Sequence, residues 1–245
     1  MQYGISILLS GISLGGQYAL IAIGYTMVYG ILRLINFAHG DVFMVAGLMM
    51  VYLSASLPLA AAIPLMIILT VLLGFIIERA AYKPLRTAPR MSVMISAIGV
   101  SYLLQNLATY VTGGLPQMYP ALPGLSNQLT IAGVSTKYVT VVTPVLVVVL
   151  VVALTQLINH TKIGMAMRAV SKDFETAQLM GVKINSVISM TFVIGSFLAA
   201  VGAMLSFTNY PTVAITSGGM PGPLSRTRIM QPVSVRRDDT RISPP

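Results

Sequence analysis

The sequence has 245 residues, of which 56% are apolar and 9% charged, and its mean hydropathy is +0.83. This composition excludes a soluble globular domain and a disordered chain, and it predicts a polytopic membrane protein. The lack of cysteine excludes disulfides, thiol catalysis and Cys-ligated metals, and the two histidines lie too far apart in sequence to indicate a metal site. The net charge of +9 does not indicate nucleic-acid binding, because no basic run is interleaved with aromatic residues.

The first apolar run, residues 4–32, is long enough to cross a bilayer, since about 20 residues suffice. The residues before it lack the basic start and the cleavage site of a signal peptide, so we expect the run to be retained as a helix. Small residues recur at every fourth position in this run and in the sixth, which predicts that the two stripes share a packing surface. They are Gly11, Gly15 and Ala19 in the first run and Gly195, Ala199 and Ala203 in the sixth.

A short polar stretch, residues 35–41, follows the first run and is called the polar segment below. We predict that Gly40 and Asp41 begin the next helix, which leaves unpaired N–H groups and the positive end of the helix dipole at this point. Transporters bind anionic groups at such helix starts, and an Asp at the bilayer centre costs about 2.5–3.5 kcal/mol, so a functional role is favoured. The predicted substrate-path residues are Asn36, Phe37, His39, Gly40 and Asp41.

The alternative interpretation of the polar segment is an ordinary turn between two membrane helices. Asn36 or Asp41 would then cap the second helix, and His39 would be hydrogen-bonded to a carbonyl group.

The second helix is predicted to extend from the polar segment to about Ala55, and the third to sixth apolar runs follow at residues 60–77, 92–112, 138–158 and 187–207. The segments 78–90 and 159–186 are rich in Lys and Arg, which favours the cytoplasm, whereas 113–137 has a single Lys and is typical of the external face. In lipid, only helices and closed barrels form all the hydrogen bonds that their backbone N–H and C=O groups need, so the runs are predicted to be helices. Counting crossings places the N-terminus outside, Arg33 inside and Asn209 outside. Gln105 and Asn106 are interpreted as polar contacts between helices.

A short helix is predicted over residues 173–180, within the second basic segment. Asp173 is suited to the N-cap position, Glu175 falls in the first turn, and Gly181 provides the stop signal. We expect this helix to lie across the cytoplasmic face.

The sequence divides into two parts of different character. Residues 1–216 are predicted to form an all-α membrane helix bundle of about six transmembrane helices, incomplete at its C-terminus. Residues 217–245 are predicted to be a disordered, Arg-rich tail, because their prolines and charges forbid an apolar span.

Several stretches together resemble the LivH-type inner-membrane permeases of branched-chain amino-acid ABC importers. They are residues 19–30, the polar segment with its Asn-Phe-Ala-His-Gly core, residues 78–86, residues 95–99 and residues 179–182. The resemblance extends over approximately residues 5–210. Family members continue beyond this point with a glycine-rich segment and further membrane helices, where this sequence has the Arg-rich tail.

The resemblance implies a multi-pass subunit of the bacterial inner membrane that has no catalysis and no cofactor of its own. Its implied partners are a second permease subunit, two ATPase subunits and a periplasmic substrate-binding protein. The segment with Asp173, Glu175, Ala177 and Gly181 is similar to the coupling helix that docks on an ATPase subunit. The sequence has no Walker-type glycine loop, so we expect ATP to be bound by the partner subunits.

Other interpretations remain open at this point. Urea or short amides are alternative substrates within the same family. A truncated or frame-shifted, inactive product is a second alternative. For this reason we expect the chain as written to support little or no uptake, and a version continued in the family's manner beyond Tyr210 to support it. A passive channel is disfavoured, since one Asp and one Glu in the first half of the sequence do not supply a ring of charges.

Overall fold

The structure, a computed structural model, describes residues 2–32, 35–86, 88–122, 125, 128–131 and 134–215. The predicted tail at 217–245 and Arg33 lie outside the described residues. The helices of the described part are α1 (Gln2–Leu32), α2 (Ala38–Ser56), α3 (Leu59–Ile77), α4 (Arg90–Thr112), α5 (Tyr138–His160), α6 (Lys162–Lys172), α7 (Phe174–Leu179) and α8 (Ile184–Asn209). A π-helical turn, Glu78–Tyr82, continues α3.

Six of these helices are long and apolar enough to cross a membrane, namely α1 to α5 and α8. The predicted bundle of six membrane helices is therefore confirmed. The predicted start of the second helix at Gly40 and Asp41 is wrong, because α2 already begins at Ala38. Helix α6 was not predicted.

Helix α8 is the centre of the bundle and packs against α1, α2 and α3. In its membrane span 67% of the residues are buried, compared with 11% in α5, which lies at the periphery. Exposed residues in the middle of the peripheral helix are apolar, as expected of a surface that faces lipid or another membrane helix. Val145, Val148, Val149 and Val152 are examples.

The predicted packing of two small-residue stripes is wrong for α1. No atom of the described residues lies within 4 Å of a Cβ placed on Gly11 or Gly15. The buried face of α1 carries Gln17, Leu20 and Gly24 instead. Gln17 is two residues from Gly15 and thus about 200° away around the helix, so the glycine stripe points away from α8. The stripe on α8 is buried as predicted.

Two small strand pairs, which were not predicted, lie at one end of the bundle. Strand β1 (Gln117–Met118) pairs with β4 (Thr212–Val213), and β2 (Gln128–Ile131) forms a hairpin with β3 (Val134–Lys137). Lys137 Nζ also donates to the carbonyl of Asn209 at 2.9 Å. These contacts confirm that segment 113–137 and the end of α8 emerge on the same side.

A tight turn at the opposite end joins α5 to α6. Thr161 caps α6, since its side chain accepts a hydrogen bond from the N–H of Gly164 at 3.0 Å. A Cβ at Gly164 would overlap the backbone of Ile158, so only glycine allows this close approach. The turn directs α6 along the end of the bundle.

The orientation of the bundle can be tested by thiol labelling, because the native chain contains no cysteine. We expect a membrane-impermeant maleimide added outside the cell to label Leu115→Cys and not Met180→Cys, two positions that are 68% and 80% exposed at opposite ends. Permeabilised cells that produce the chain without partner subunits should show labelling at both positions. Labelling of Met180→Cys alone in intact cells would reverse the predicted orientation.

Candidate functional site

The polar segment lies deep inside the bundle. A Cβ on Gly24 of α1 would lie 2.8 Å from His39 Nε2, and one on Gly195 of α8 would lie 3.8 Å from His39 Cε1. With a rise of about 1.5 Å per residue, Gly24 is roughly 12 Å from the end of α1 and Gly195 roughly 16 Å from the start of α8. The first turn of α2 is therefore within the thickness of the membrane.

Asn36 is buried and has a partner from a distant part of the sequence. Its Oδ1 atom accepts a hydrogen bond of 2.8 Å from the hydroxyl of Tyr82, at the end of the π-helical turn. Its backbone carbonyl accepts from the N–H of His39 at 3.2 Å, which closes the turn before α2. Asn36 thus joins the polar segment to the end of α3.

His39 is 3% exposed, and its Nε2 atom has no hydrogen-bond partner among the described residues. No carbonyl group of the described residues therefore pairs with Nε2, and the alternative in which a carbonyl satisfies His39 stays a prediction for its other ring nitrogen. His39, Asn36 and Ser196 line a cavity of ≈10 Å³ between α1, α2, α3 and α8. This volume holds about one water-sized group. A larger solute can pass only if these helices separate.

The other predicted path residues do not share this cavity. Asp41 faces α4, where its carboxylate accepts from Gln105 Nε2 at 3.0 Å and from the hydroxyl of Ser101. Phe37 is 41% exposed, and Gly40 is half-buried in the first turn of α2. Neither Asn36 nor Asp41 caps α2, since no side chain forms a cap hydrogen bond there. Of the predicted path residues, only Asn36 and His39 line the cavity.

The interpretation of Gln105 and Asn106 as contacts between helices is correct for one of them. Gln105 bridges α4 to α2 through Asp41, whereas Asn106 Nδ2 donates to the carbonyl of Tyr102 in its own helix at 2.8 Å. The two amides point to different sides of α4.

A buried charge at the end of α3 was missed by the sequence analysis, which placed Glu78 in a basic loop. Glu78 is fully buried, forms an ion pair with Arg86, and accepts a hydrogen bond of 2.8 Å from Ser189 of α8. Arg86 also donates to Asn185. A lone acidic residue at the end of an apolar run could have indicated this arrangement.

The sequence also did not reveal two glycines at which a side chain of another helix lies close to the helix backbone. A Cβ on Gly74 of α3 would overlap the side chain of Ser196. Glycine is needed at Gly24 and Gly74 because another helix presents a polar side chain there. The sequence alone does not show which glycine faces which helix.

Residues 173–181, called the docking segment below, form the short helix that was predicted. Asp173 Oδ1 accepts from the N–H groups of Glu175 and Thr176 at 3.0 and 3.2 Å, which confirms it as the N-cap. Gly181 has a φ of 83°, which confirms it as the stop residue. Ala177 points inward and is 4% exposed.

The docking segment exposes three large apolar side chains among polar ones. Phe174, Leu179 and Met180 are 42%, 87% and 80% exposed. These residues lie outside the membrane-spanning helices. Exposed apolar side chains that lie together mark a contact with another protein or with the membrane surface. In the described part of the chain, no group of three or more His, Cys, Asp and Glu side chains could hold a metal ion.

Comparison with known proteins extends these observations. The family described as "Branched-chain amino acid transport system / permease component" matches residues 7–223. The high-affinity branched-chain amino acid transport system permease protein LivH of Salmonella typhimurium is 39% identical over 236 residues, which cover 90% of this chain and 76% of the relative. BraD of Pseudomonas aeruginosa is 38% identical, with 88% and 74% covered.

LivH of Escherichia coli K12 is likewise 38% identical, with 90% of this chain and 76% of the relative covered. No solved structure matches the chain. The matched region contains the polar segment, the six membrane helices and the docking segment. The chain therefore belongs to the family of permease components of branched-chain amino acid transport systems.

Proposed function

We propose that the chain is a permease subunit of an ABC importer that moves branched-chain amino acids across the bacterial inner membrane. The observation that carries this proposal is the family match over residues 7–223, which includes all six membrane helices. The chain supplies the passage and has no catalytic activity or cofactor of its own. Urea and short amides remain alternative substrates, to be distinguished by experiment.

The substrate route passes the polar segment. Support comes from the cavity beside His39 and Asn36, since both side chains are buried in the membrane and His39 Nε2 has no partner there. Buried polar groups in a membrane helix are costly and are typical of substrate pathways. The described conformation is closed at this cavity. Gly40, Phe37 and Asp41 contribute to the route only when α2 moves relative to its neighbours.

The docking segment binds a cytoplasmic ATPase subunit. The binding proposal is supported by the exposed apolar side chains of Phe174, Leu179 and Met180. The Asp173 cap and the Gly181 turn fix the helix that carries them. ATP is bound by two such subunits. A second permease subunit and a periplasmic substrate-binding protein complete the importer, as in the family that the chain belongs to.

Reconstituted vesicles test the proposed function. A version of the protein that continues beyond Tyr210 in the manner of the family is assembled with its partner permease and ATPase subunits, and it is the parent of the variants below. Radiolabelled leucine is supplied with the binding protein. We expect leucine uptake that requires ATP and is reduced by unlabelled isoleucine or valine but not by urea. Uptake of urea without uptake of leucine would show that urea is the substrate and leucine is not. Uptake without ATP would exclude an ABC importer.

Gly24 offers a direct test of the route. Gly24→Ala places a methyl group within 2.8 Å of His39 Nε2, so His39 must shift and uptake should fall about tenfold or more. Gly15→Ala is the matched control in the same helix, because no atom of the described residues lies within 4 Å of its added Cβ. Initial uptake rates, normalised to the amount of assembled protein, measure the effect. Equal uptake rates for the two variants would show that His39 does not lie on the substrate route.

A further inference from the structure

Tyr82 lies between the polar segment and the docking segment. Its side chain is 3% exposed, and its hydroxyl donates the 2.8 Å hydrogen bond to Asn36 Oδ1. Its ring packs against Phe192 of α8, with the ring centroids 4.9 Å apart. The polar segment and the central helix therefore both fix its position.

A cavity of ≈440 Å³ separates Tyr82 from the docking segment. Tyr82 and Arg86 line one part of this cavity, and Asp173, Phe174 and Glu175 line another. Phe174 is 42% exposed and is not fixed in the core. The start of the docking segment thus faces open space toward Tyr82, whereas Ala177 farther along packs in the core.

We propose that Tyr82 is a positioning residue, which transmits movement of the docking segment to Asn36. This inference rests on the proposed function, because it requires a partner that moves the docking segment. Coupling between sites is carried by contiguous packed side chains and hydrogen bonds. Closure of the cavity brings the docking segment against Tyr82, and the hydroxyl then shifts the Asn36 amide beside His39.

Tyr82→Phe isolates the hydrogen bond, since the ring and its contact with Phe192 are retained. The matched control is Tyr102→Phe, at a position on α4 that is 62% exposed. A single cysteine at Phe37, next to Asn36 and 41% exposed, reports on the polar segment. The complete complex with its ATPase subunits is labelled with a maleimide, with and without ATP.

We expect ATP to change the labelling rate of Phe37→Cys severalfold in the parent and in Tyr102→Phe, but not in Tyr82→Phe. An equal change in all three proteins would show that Tyr82 does not transmit the movement. No change in any of them would show that the movement does not reach the polar segment. Either outcome overturns the proposal, and neither depends on which substrate is transported.

Uptake per ATP hydrolysed provides a second measurement in vesicles. Tyr82→Phe should lower this ratio about tenfold, the scale of one lost buried hydrogen bond, while the hydrolysis rate is maintained. A merely structural role would lower uptake and hydrolysis together and leave the ratio unchanged, which contradicts the proposal. Absence of leucine uptake by the parent protein would instead contradict the proposed function.

Discussion

Gly181→Val is expected to abolish ATP-driven uptake while the chain still inserts into the membrane. Gly181 has a φ of 83°, a left-handed conformation that a β-branched residue rarely adopts. The strain of about 1–2 kcal/mol falls on the turn that ends α7. The N–H of Val182 bonds to the carbonyl of Ala177 at 3.1 Å in this turn. Loss of the turn displaces Leu179 and Met180 from the docking surface.

Gly181→Asn is the matched control, because asparagine tolerates the left-handed region. We expect this variant to retain most of the uptake and of the substrate-stimulated ATP hydrolysis. Membrane insertion of both variants is checked by the yield of protein in the membrane fraction. If Gly181→Val supports uptake and stimulated hydrolysis at the parent rate, residues 173–181 are not the ATPase contact.

The membrane helices could be predicted because each apolar run is long and the bilayer imposes a minimum length. The π-helical turn at Glu78 was not foreseen, since charged and proline residues resemble a loop. Helix α6 was missed for a similar reason: Lys162–Lys172 carries three basic residues and buries only Gly164, Met167 and Val170 against the bundle. Tertiary packing, which a single sequence does not display, stabilises this helix.

The residue types of the docking segment correctly predicted its structure, whereas those of the polar segment predicted only part of it. Asp173 and Gly181 act through backbone groups within a few residues, so their types indicate their roles. Asn36 and Asp41 bind Tyr82 and Ser101 instead, which are far along the chain. The direction of each side chain depends on the packing of α2 against α3 and α4, and the sequence spacing does not reveal it.

Glu78→Leu is expected to destabilise the folded protein more than any exposed substitution. Glu78 is fully buried, and its partners Arg86 and Ser189 come from a loop and from the central helix. Removing one partner of a buried ion pair leaves an uncompensated charge, at a cost of about 3–5 kcal/mol. Thermal unfolding in detergent, followed by loss of monodisperse protein, measures the effect. Arg79→Leu, at the adjacent exposed position, is the control with a small expected change.

The double variant Glu78→Leu and Arg86→Leu distinguishes the ion pair from simple loss of packing. Arg86 Nε is buried without a hydrogen-bond partner among the described residues, so removing the whole guanidinium group also removes this penalty. An apolar pair of similar size can be as stable as a buried ion pair. We therefore expect the double variant to unfold at a higher temperature than Glu78→Leu alone. If the loss of thermal stability in the double variant equals the sum of the losses in Glu78→Leu and Arg86→Leu, the two residues stabilise the bundle independently.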